Sequence, residues 1–474
     1  MKLFHGRLAS PPTGVDLSLQ PSSPWATRYA SRLADWPKDF VFGRISDSRT
    51  KRVDFLCLQE AIERQLDTHC VGMEWVAEGG FNQIYLVSLA DGSQIVARLS
   101  FPFPHDQMTG AAFSSQTEVD RARIPYRLLV EVETIRYVAL HTTVPVARIY
   151  AFDTKVSNPI GTPYMLQELL KGDNVGELWW NLSHPERDVM MASLGRVCGG
   201  LLSLKFTSYG CISSHMAEEP VGPITPPLCT LASEHSLEDV GPWPCSAPFA
   251  LMTTLAAREE AWMRGPSGRT LVAQWRGERH PTEDLDKTLP AFVELASRLL
   301  QLFPHLPILY PLPEEALRPA LCHPDFSVAN VMASQDNPAN ITGLVDWEFA
   351  TVAPLFSCYK VPDSLYDYGD QNEPDPEERE SKRRGRALFA QGVIDACPDA
   401  EVVVRPEENS ALQRSLCGLQ TLSILTTSGF SRWCPFEDVR ARLVSLRESA
   451  AVECGPGVQI IDDLLTLFNI HTSP

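Results

Sequence analysis

The chain has 474 residues, with 41 Lys+Arg against 59 Asp+Glu, a formal net charge of −18. That balance speaks against a nucleic-acid partner, because phosphate backbones are held by clustered positive charge. A hydrophobic share of 44% and a charged share of 21% fit a globular protein with a real core. No run of about 18 apolar residues is present, so neither a transmembrane helix nor a membrane partner is expected.

Length allows roughly two or three domains. The 38 prolines stand above the usual share of about 5% and imply many rigid connections. The 12 cysteines show no Cys-x-x-Cys spacing, which points to reduced thiols in a cytosolic-type compartment. Residues 1–34 carry Lys2, Arg7, Arg28 and Arg32 with Asp16 as the sole acid, a composition compatible with a mitochondrial transit segment. Pro11, Pro12, Pro21 and Pro24 interrupt any amphipathic helix there, so residues 1–50 are expected to be an extension of a cytoplasmic protein.

A first helix is expected at 57–67, then strands at 73–78, 81–88 and 94–100, the last two joined by the turn signal Asp91-Gly92. Residues 101–120 read as a loop, 125–141 as a helix, and 144–152 and 163–169 as strands. Beyond Gly172 the periodicity turns helical, near 186–205, 288–303, 377–396, 408–430 and 435–450. Residues 220–248 hold seven prolines and read as a loop, and 319–350 return to short β-like runs. The expected fold is α+β and two-lobed. A small antiparallel lobe over 51–170 precedes a mainly helical lobe over 171–474, which carries a Pro-rich insertion near 210–248.

The chemistry concentrates in 321–348. His323-Pro324-Asp325 is followed by Asn330, and an apolar run (Ile341, Leu344, Val345) leads into Asp346-Trp347-Glu348. Phosphoryl transfer needs these groups: one carboxylate to orient or deprotonate an attacking hydroxyl, and an Asn oxygen with a second carboxylate to hold Mg²⁺ against phosphates. Alone, His-x-Asp with a later Asn reads equally well as a turn, and the second Asp after an apolar strand favours chemistry. In the first lobe, Gly79-Gly80-Phe81-Asn82 lies between two strands, where glycines let a backbone approach phosphates. Arg98 ends Ile95-Val96-Ala97-Arg98, where kinases carry a strand cation. On the helix at 125–141, Glu131 flanks the apolar stripe of Ile135 and Val138 and can face that cation, while Glu133 is expected to be solvated.

In this order these parts resemble the aminoglycoside phosphotransferase and choline-kinase-like family of the protein-kinase-like fold. The wording is closest to a fungal-type subgroup, over roughly 70–450. The resemblance implies ATP and Mg²⁺ as cofactors, with Asp325 catalytic and His323 orienting the catalytic loop. It implies Asn330 and Asp346 as metal ligands, and Gly79, Gly80 and Asn82 over the phosphates. Arg98 paired with Glu131 takes the place of the usual lysine pair, and Met165 to Glu168, including Gln167, matches the adenine hinge. Arg is not a conservative replacement, since it is a planar fork rather than a point charge. Glu348 is open to two readings, a second-metal contact or a structural salt bridge. Trp179-Trp180 reads as packing, with stacking on a substrate ring as the alternative.

Acids at 363, 367, 370, 373, 375, 377, 378 and 380 precede Lys382-Arg383-Arg384 and read as a self-compensating surface, or as lining for a cationic substrate. The expected activity moves the γ-phosphate of ATP to a hydroxyl of a small molecule, cationic or natural-product-like. The alternative is a pseudokinase-like nucleotide-binding scaffold. A small-molecule acceptor is the expected partner, and the sequence leaves its identity and the oligomeric state open.

Overall fold

In a computed structural model the described residues are 41–42, 53–78, 82–100, 118–224, 244–362, 374–407, 410–426, 431 and 434–470. Helix α1 (Phe55–Leu66) begins at Asp54, whose carboxylate accepts from the Leu56 and Cys57 amides at 3.1 Å, and stops at Asp67, which turns left-handed at φ 52°. Beside it lies a six-stranded sheet in the order β1-β2-β3-β4-β6-β5. Its strands are β1 (Val41–Phe42), β2 (Cys70–Glu78), β3 (Asn82–Leu89), β4 (Gln94–Ser100), β5 (Ile149–Asp153) and β6 (Tyr164–Glu168). All pairings are antiparallel except β1 on β2, so part of the N-terminal extension joins the sheet edge. Burial alternates along β3, with Tyr85, Val87 and Leu89 turned toward Phe55, Leu58 and Ile62 of α1, the period-two pattern of a half-buried strand.

Helix α2 (Glu118–His141) follows the third antiparallel strand, as expected, and starts seven residues before the expected position. Pro125, at the start of the expected helix, therefore sits inside the observed one. The apolar stripe of α2 (Leu128, Val132, Ile135, Val138) packs in the core of the larger lobe. A hairpin of β8 (Cys211–Ile212) and β9 (Val221–Gly222), introduced after β7 (Asp173–Asn174), covers another face of α2. There Tyr126 Oη donates to the Pro223 carbonyl at 2.7 Å. The expected loop at 220–248 therefore begins as paired strand, and 225–243 lies outside the described residues. Glu133 is buried against the same hairpin: it accepts from the His215 amide at 2.7 Å and faces His215 Nδ1 at 2.5 Å, so the solvated position expected for it is incorrect.

The larger lobe is built on α3 (His184–Leu202), α4 (Ala250–Arg264), α5 (Pro266–Arg279), α6 (Leu285–Leu302), α7 (Pro376–Ala396), α8 (Ala411–Leu425), α9 (Phe436–Glu448) and α10 (Pro456–Ile470). Helices α4, α5 and α10 were not expected from periodicity. The α5 surface is polar, yet Arg276 is buried inside it, bonding Glu283 through Nε at 2.9 Å and the Ser431 carbonyl at 2.6 Å. Helices α3 and α7 cross so closely that a Cβ on Gly195 would lie 2.2 Å from the Phe389 carbonyl oxygen. No helix among the described residues is long and apolar enough to cross a membrane.

Two short antiparallel strand pairs insert between the helices. One is β10 (Pro319–Cys322) against β13 (Thr351–Pro354), and the other is β11 (Val331–Ala333) against β12 (Ile341–Leu344), with β7 added to β11. Val144–Arg148, expected as strand, instead runs past them. Val146 bridges Leu344 in parallel, and Pro145 accepts from the Leu344 amide at 2.9 Å. This contact ties the connection between α2 and β5 to the strand that leads into the acidic turn.

Candidate active site

The residues between β10 and β13 form the site. His323 leaves β10 buried, and Nε2 donates to the Val345 carbonyl at 3.1 Å, which fixes the tautomer because a carbonyl only accepts. Its ring meets the edge of Trp347 at 4.8 Å and 72°. Nδ1 has no partner among the described residues. Burial holds the imidazole down at about 4, so it is neutral at physiological pH. The neutral, buried ring ties the start of this loop to the acidic turn through the Val345 carbonyl.

Asp325 is exposed. Asn330 Nδ2 donates both to the Asp325 main-chain oxygen at 2.9 Å and to its Oδ2 at 3.0 Å. These bonds use both amide hydrogens and leave the Asn330 Oδ1 on the opposite side. The Val345 amide donates to the Asn330 carbonyl at 2.9 Å, which draws the second acidic segment against the first.

Asp346 and Phe349 are both left-handed, at φ 65° and 63°. Neither is glycine, so the turn is strained and must be held by its surroundings. Trp347 supplies the anchor: it is buried, and Nε1 donates to the Leu344 carbonyl at 2.9 Å. The turn sends its two acids apart. The Asp346 side chain is 49% exposed and lies 3.8 Å from Arg98, whereas Glu348 is buried. Desolvation pushes the Asp346 carboxyl up against the pull of Arg98, and Glu348 and Asp325 push it further.

From the smaller lobe, Arg98 of β4 reaches Glu131 of α2 in a direct charged hydrogen bond. Glu131 is 1% exposed. Burial raises its carboxyl to about 7 against the pull of Arg98. Burial opposes the Arg98 charge as well, but Glu131, Glu348 and Asp346 outweigh it and hold the guanidinium above its ordinary value. The strand cation and helix glutamate expected from sequence are thus brought together, and both face the acidic turn.

A second cation was missed. Arg127 lies one helical turn before Glu131, is 9% exposed, and places Nε 3.6 Å from Glu348. The stripe that identifies Glu131 by Ile135 and Val138 extends back through position 127, so the signal was present. Asn82 is placed differently from the phosphate-facing role expected. It opens β3 buried, accepts from Ser100 Oγ at 2.8 Å, and donates to Glu348 at 2.6 Å. Gly79 and Gly80 lie outside the described residues.

Gln167 and Glu168 end β6. Gln167 is paired on both edges, with Val96 and Ile149, and the chain leaves the sheet after Glu168 toward the larger lobe. Trp179 is packing: it is buried with the Arg187 guanidinium 5.2 Å from its ring, while Trp180 is 74% exposed. Of the acids before Lys382, Asp375 caps α7, Glu380 pairs with Arg383, and Glu378 faces Arg187 and His184 of α3. Positions 363, 367, 370 and 373 lie outside the described residues.

The donor set fits a hard divalent cation, since Asn330 and Asp346 offer oxygen ligands beside further carboxylates that raise Asp346. No cluster of three or more His, Cys, Asp or Glu is placed to hold a metal among the described residues. An ion on two protein ligands would draw its remaining ligands from phosphate oxygens and water.

The family described as "Phosphotransferase enzyme family" matches residues 76–357. A subtelomeric hrmA-associated cluster protein of Aspergillus fumigatus is 23% identical, over 61% of this chain and 59% of that protein. The protein named altered inheritance of mitochondria protein 9, mitochondrial, of Eremothecium gossypii is 23% identical, over 60% of this chain and 49% of that one. The chain thus spans between about half and three-fifths of the length of these curated relatives. A thermostable mutant of aminoglycoside phosphotransferase APH(4)-Ia, solved with AMP-PNP and hygromycin B, is similar at a TM-score of 0.36 and 12% identity, over 86% of this chain and 98% of that one.

Proposed function

Because the chain belongs to the phosphotransferase enzyme family, we propose that it transfers the γ-phosphoryl group of ATP to a hydroxyl of a small molecule, cationic or natural-product-like. The observation that carries this reading is the convergence of Asp325, Asn330 and Asp346 with the Arg98–Glu131 pair from the other lobe. Asp325, exposed and held by Asn330, aligns the acceptor hydroxyl and takes its proton as the oxygen attacks phosphorus and ADP departs. Arg98, fixed by Glu131, presents charge to the α and β phosphates. Asn330 Oδ1 and Asp346 would hold Mg²⁺, which when bound neutralises phosphate charge. Gln167 and Glu168 are assigned to the adenine end, where the sheet gives way to the larger lobe. Positioning and preorganised charge supply the catalysis, with no covalent intermediate.

The compartment is proposed to be cytosolic. The relatives whose names say mitochondrial make the mitochondrial alternative the one to test, by fractionation.

The test is Mg²⁺-dependent ADP formation from ATP with and without a pooled metabolite extract, beside Asp325→Asn and Asp346→Ala. The expected result is extract-stimulated turnover that falls about 10³-fold or more in Asp325→Asn while ATP binding persists. ATP binding with turnover no higher than in the variants, across a broad acceptor panel, would replace this reading with the scaffold.

A further inference from the structure

The cluster joining the lobes contains an acid that the transfer reading does not use. Glu348 is two residues from Asp346, yet its side chain is 9% exposed where that of Asp346 is half exposed. The left-handed backbone at Asp346 and the buried Trp347 turn the two carboxylates to different sides. Glu348 Oε1 accepts from Asn82 Nδ2 at 2.6 Å and lies 3.6 Å from Arg127 Nε. Asn82 is in turn held by Ser100 across the β3–β4 pairing, and the Ser100 carbonyl accepts from Thr162 Oγ1 at 2.5 Å. A carboxylate oxygen engaged this closely by an amide donor, and faced by a guanidinium, is poorly disposed to take a cation as well.

We propose that Glu348 is a positioning residue rather than a metal ligand. It clamps the start of β3 to the acidic turn of the larger lobe, and it sets the distance at which nucleotide phosphates are held between the lobes. Asn82 carries the contact from β3, and Arg127 carries it from the helix that bears Glu131. Asp346 and Asn330 remain the metal side, and Glu348 and Asn82 form the side that fixes the lobe. This rests on the nucleotide reading above.

The experiment measures equilibrium binding of a fluorescent ATP analogue as a function of Mg²⁺, using the full chain and Asn82→Ala, Glu348→Ala, Glu348→Gln and the Asn82→Ala/Glu348→Ala double variant. The expected result is nucleotide affinity weakened about ten-fold in each alanine variant, with the double variant no worse than the weaker single. The Mg²⁺ concentration at half-saturation should stay within about two-fold of wild type in all of them. Glu348→Gln keeps an acceptor for Asn82 and should recover most of the affinity. In steady state the loss should fall on KM for ATP more than on kcat.

A Glu348 variant that moves the Mg²⁺ midpoint about ten-fold while Asn82→Ala leaves it unchanged makes Glu348 a metal ligand and overturns the clamp. Additive losses overturn it too. Wild-type protein that binds no nucleotide overturns the transfer reading and the clamp together, whereas binding left intact in every variant overturns the clamp alone. Should Glu348→Ala fail to fold, hydrogen exchange at Asn82–Ile84 in Asn82→Ala and Glu348→Gln decides. Faster exchange in Asn82→Ala with near wild-type protection in Glu348→Gln supports the clamp, and equal protection in both refutes it.

Discussion

Replacing Arg98 with methionine should produce a destabilisation that depends on pH in a direction fixed by Glu131. Both side chains are buried and directly bonded. Removing one member of such a pair leaves an uncompensated charge, which costs about 3–5 kcal/mol when the orphan stays ionised. Glu131 can escape by taking a proton. Even with Arg98 present, burial raises its carboxyl to about 7, and without the guanidinium it rises further. A carboxyl raised above its unfolded value stabilises the protein at low pH and loses that contribution as pH climbs through the folded pKa.

Wild type and variant therefore lose stability in parallel up to about pH 7. Above that the wild-type loss ends, while the variant continues to lose about 1.4 kcal/mol per pH unit. Over the 1.5 units from pH 7.0 to 8.5 the gap should widen by about 2 kcal/mol. Urea unfolding of both proteins at half-unit steps from pH 6 to 8.5 measures it. A gap constant to within about 0.5 kcal/mol would refute the assignment of Glu131 as the buried orphan. Adding Glu131→Gln to Arg98→Met should abolish the slope.

Two further stability effects follow from the same region. His323 is held at about 4 by burial, below its ordinary value of 6.5. Stability is therefore full above about pH 6.5 and falls by up to about 3 kcal/mol as the pH drops toward 4, and His323→Phe should lose this acid limb. Matching acid limbs in urea unfolding of the two proteins would contradict it. Gly172 has φ 99°, and a Cβ there would lie 2.1 Å from the Ala333 carbonyl oxygen, so Gly172→Ala should cost at least about 3 kcal/mol by pushing β7 off β11. A loss under about 1 kcal/mol in thermal unfolding would show that the β7–β11 contact yields.

Residues close in sequence were legible because local rules place them. Asp325 and Asn330 are five apart and share one turn, and Asp346 follows an apolar strand, so their proximity needs little beyond the chain itself. Strand β4 was read with its observed ends because Ile95, Ala97 and Leu99 alternate toward one core, although Arg98 on its other face is buried as well. Arg98 and Glu131 were found through the order of elements and a helical stripe. The same stripe held Arg127, but nothing local said that a guanidinium there would be buried. The polar surface of α5 hid a helix whose buried last-turn arginine, Arg276, is satisfied by carbonyls more than 150 residues away, at Ser431 and Cys434.

The sequence by itself determined the family and the two-lobed arrangement, since these rest on short spacings and on elements following one another in order. The tertiary structure alone decided the fates of Glu133, Glu348 and Asn82. Glu133 reads as solvated, Asn82 as phosphate-facing and Glu348 as either a metal contact or a structural salt bridge, until a distant segment covers each: the β8–β9 hairpin for Glu133, and the opposite lobe for Glu348 and Asn82. The physical reason is that a polar side chain settles where its hydrogen-bond partners are. For these three the partners that cover them lie from 82 to 266 residues away in the chain, beyond the reach of any local pattern.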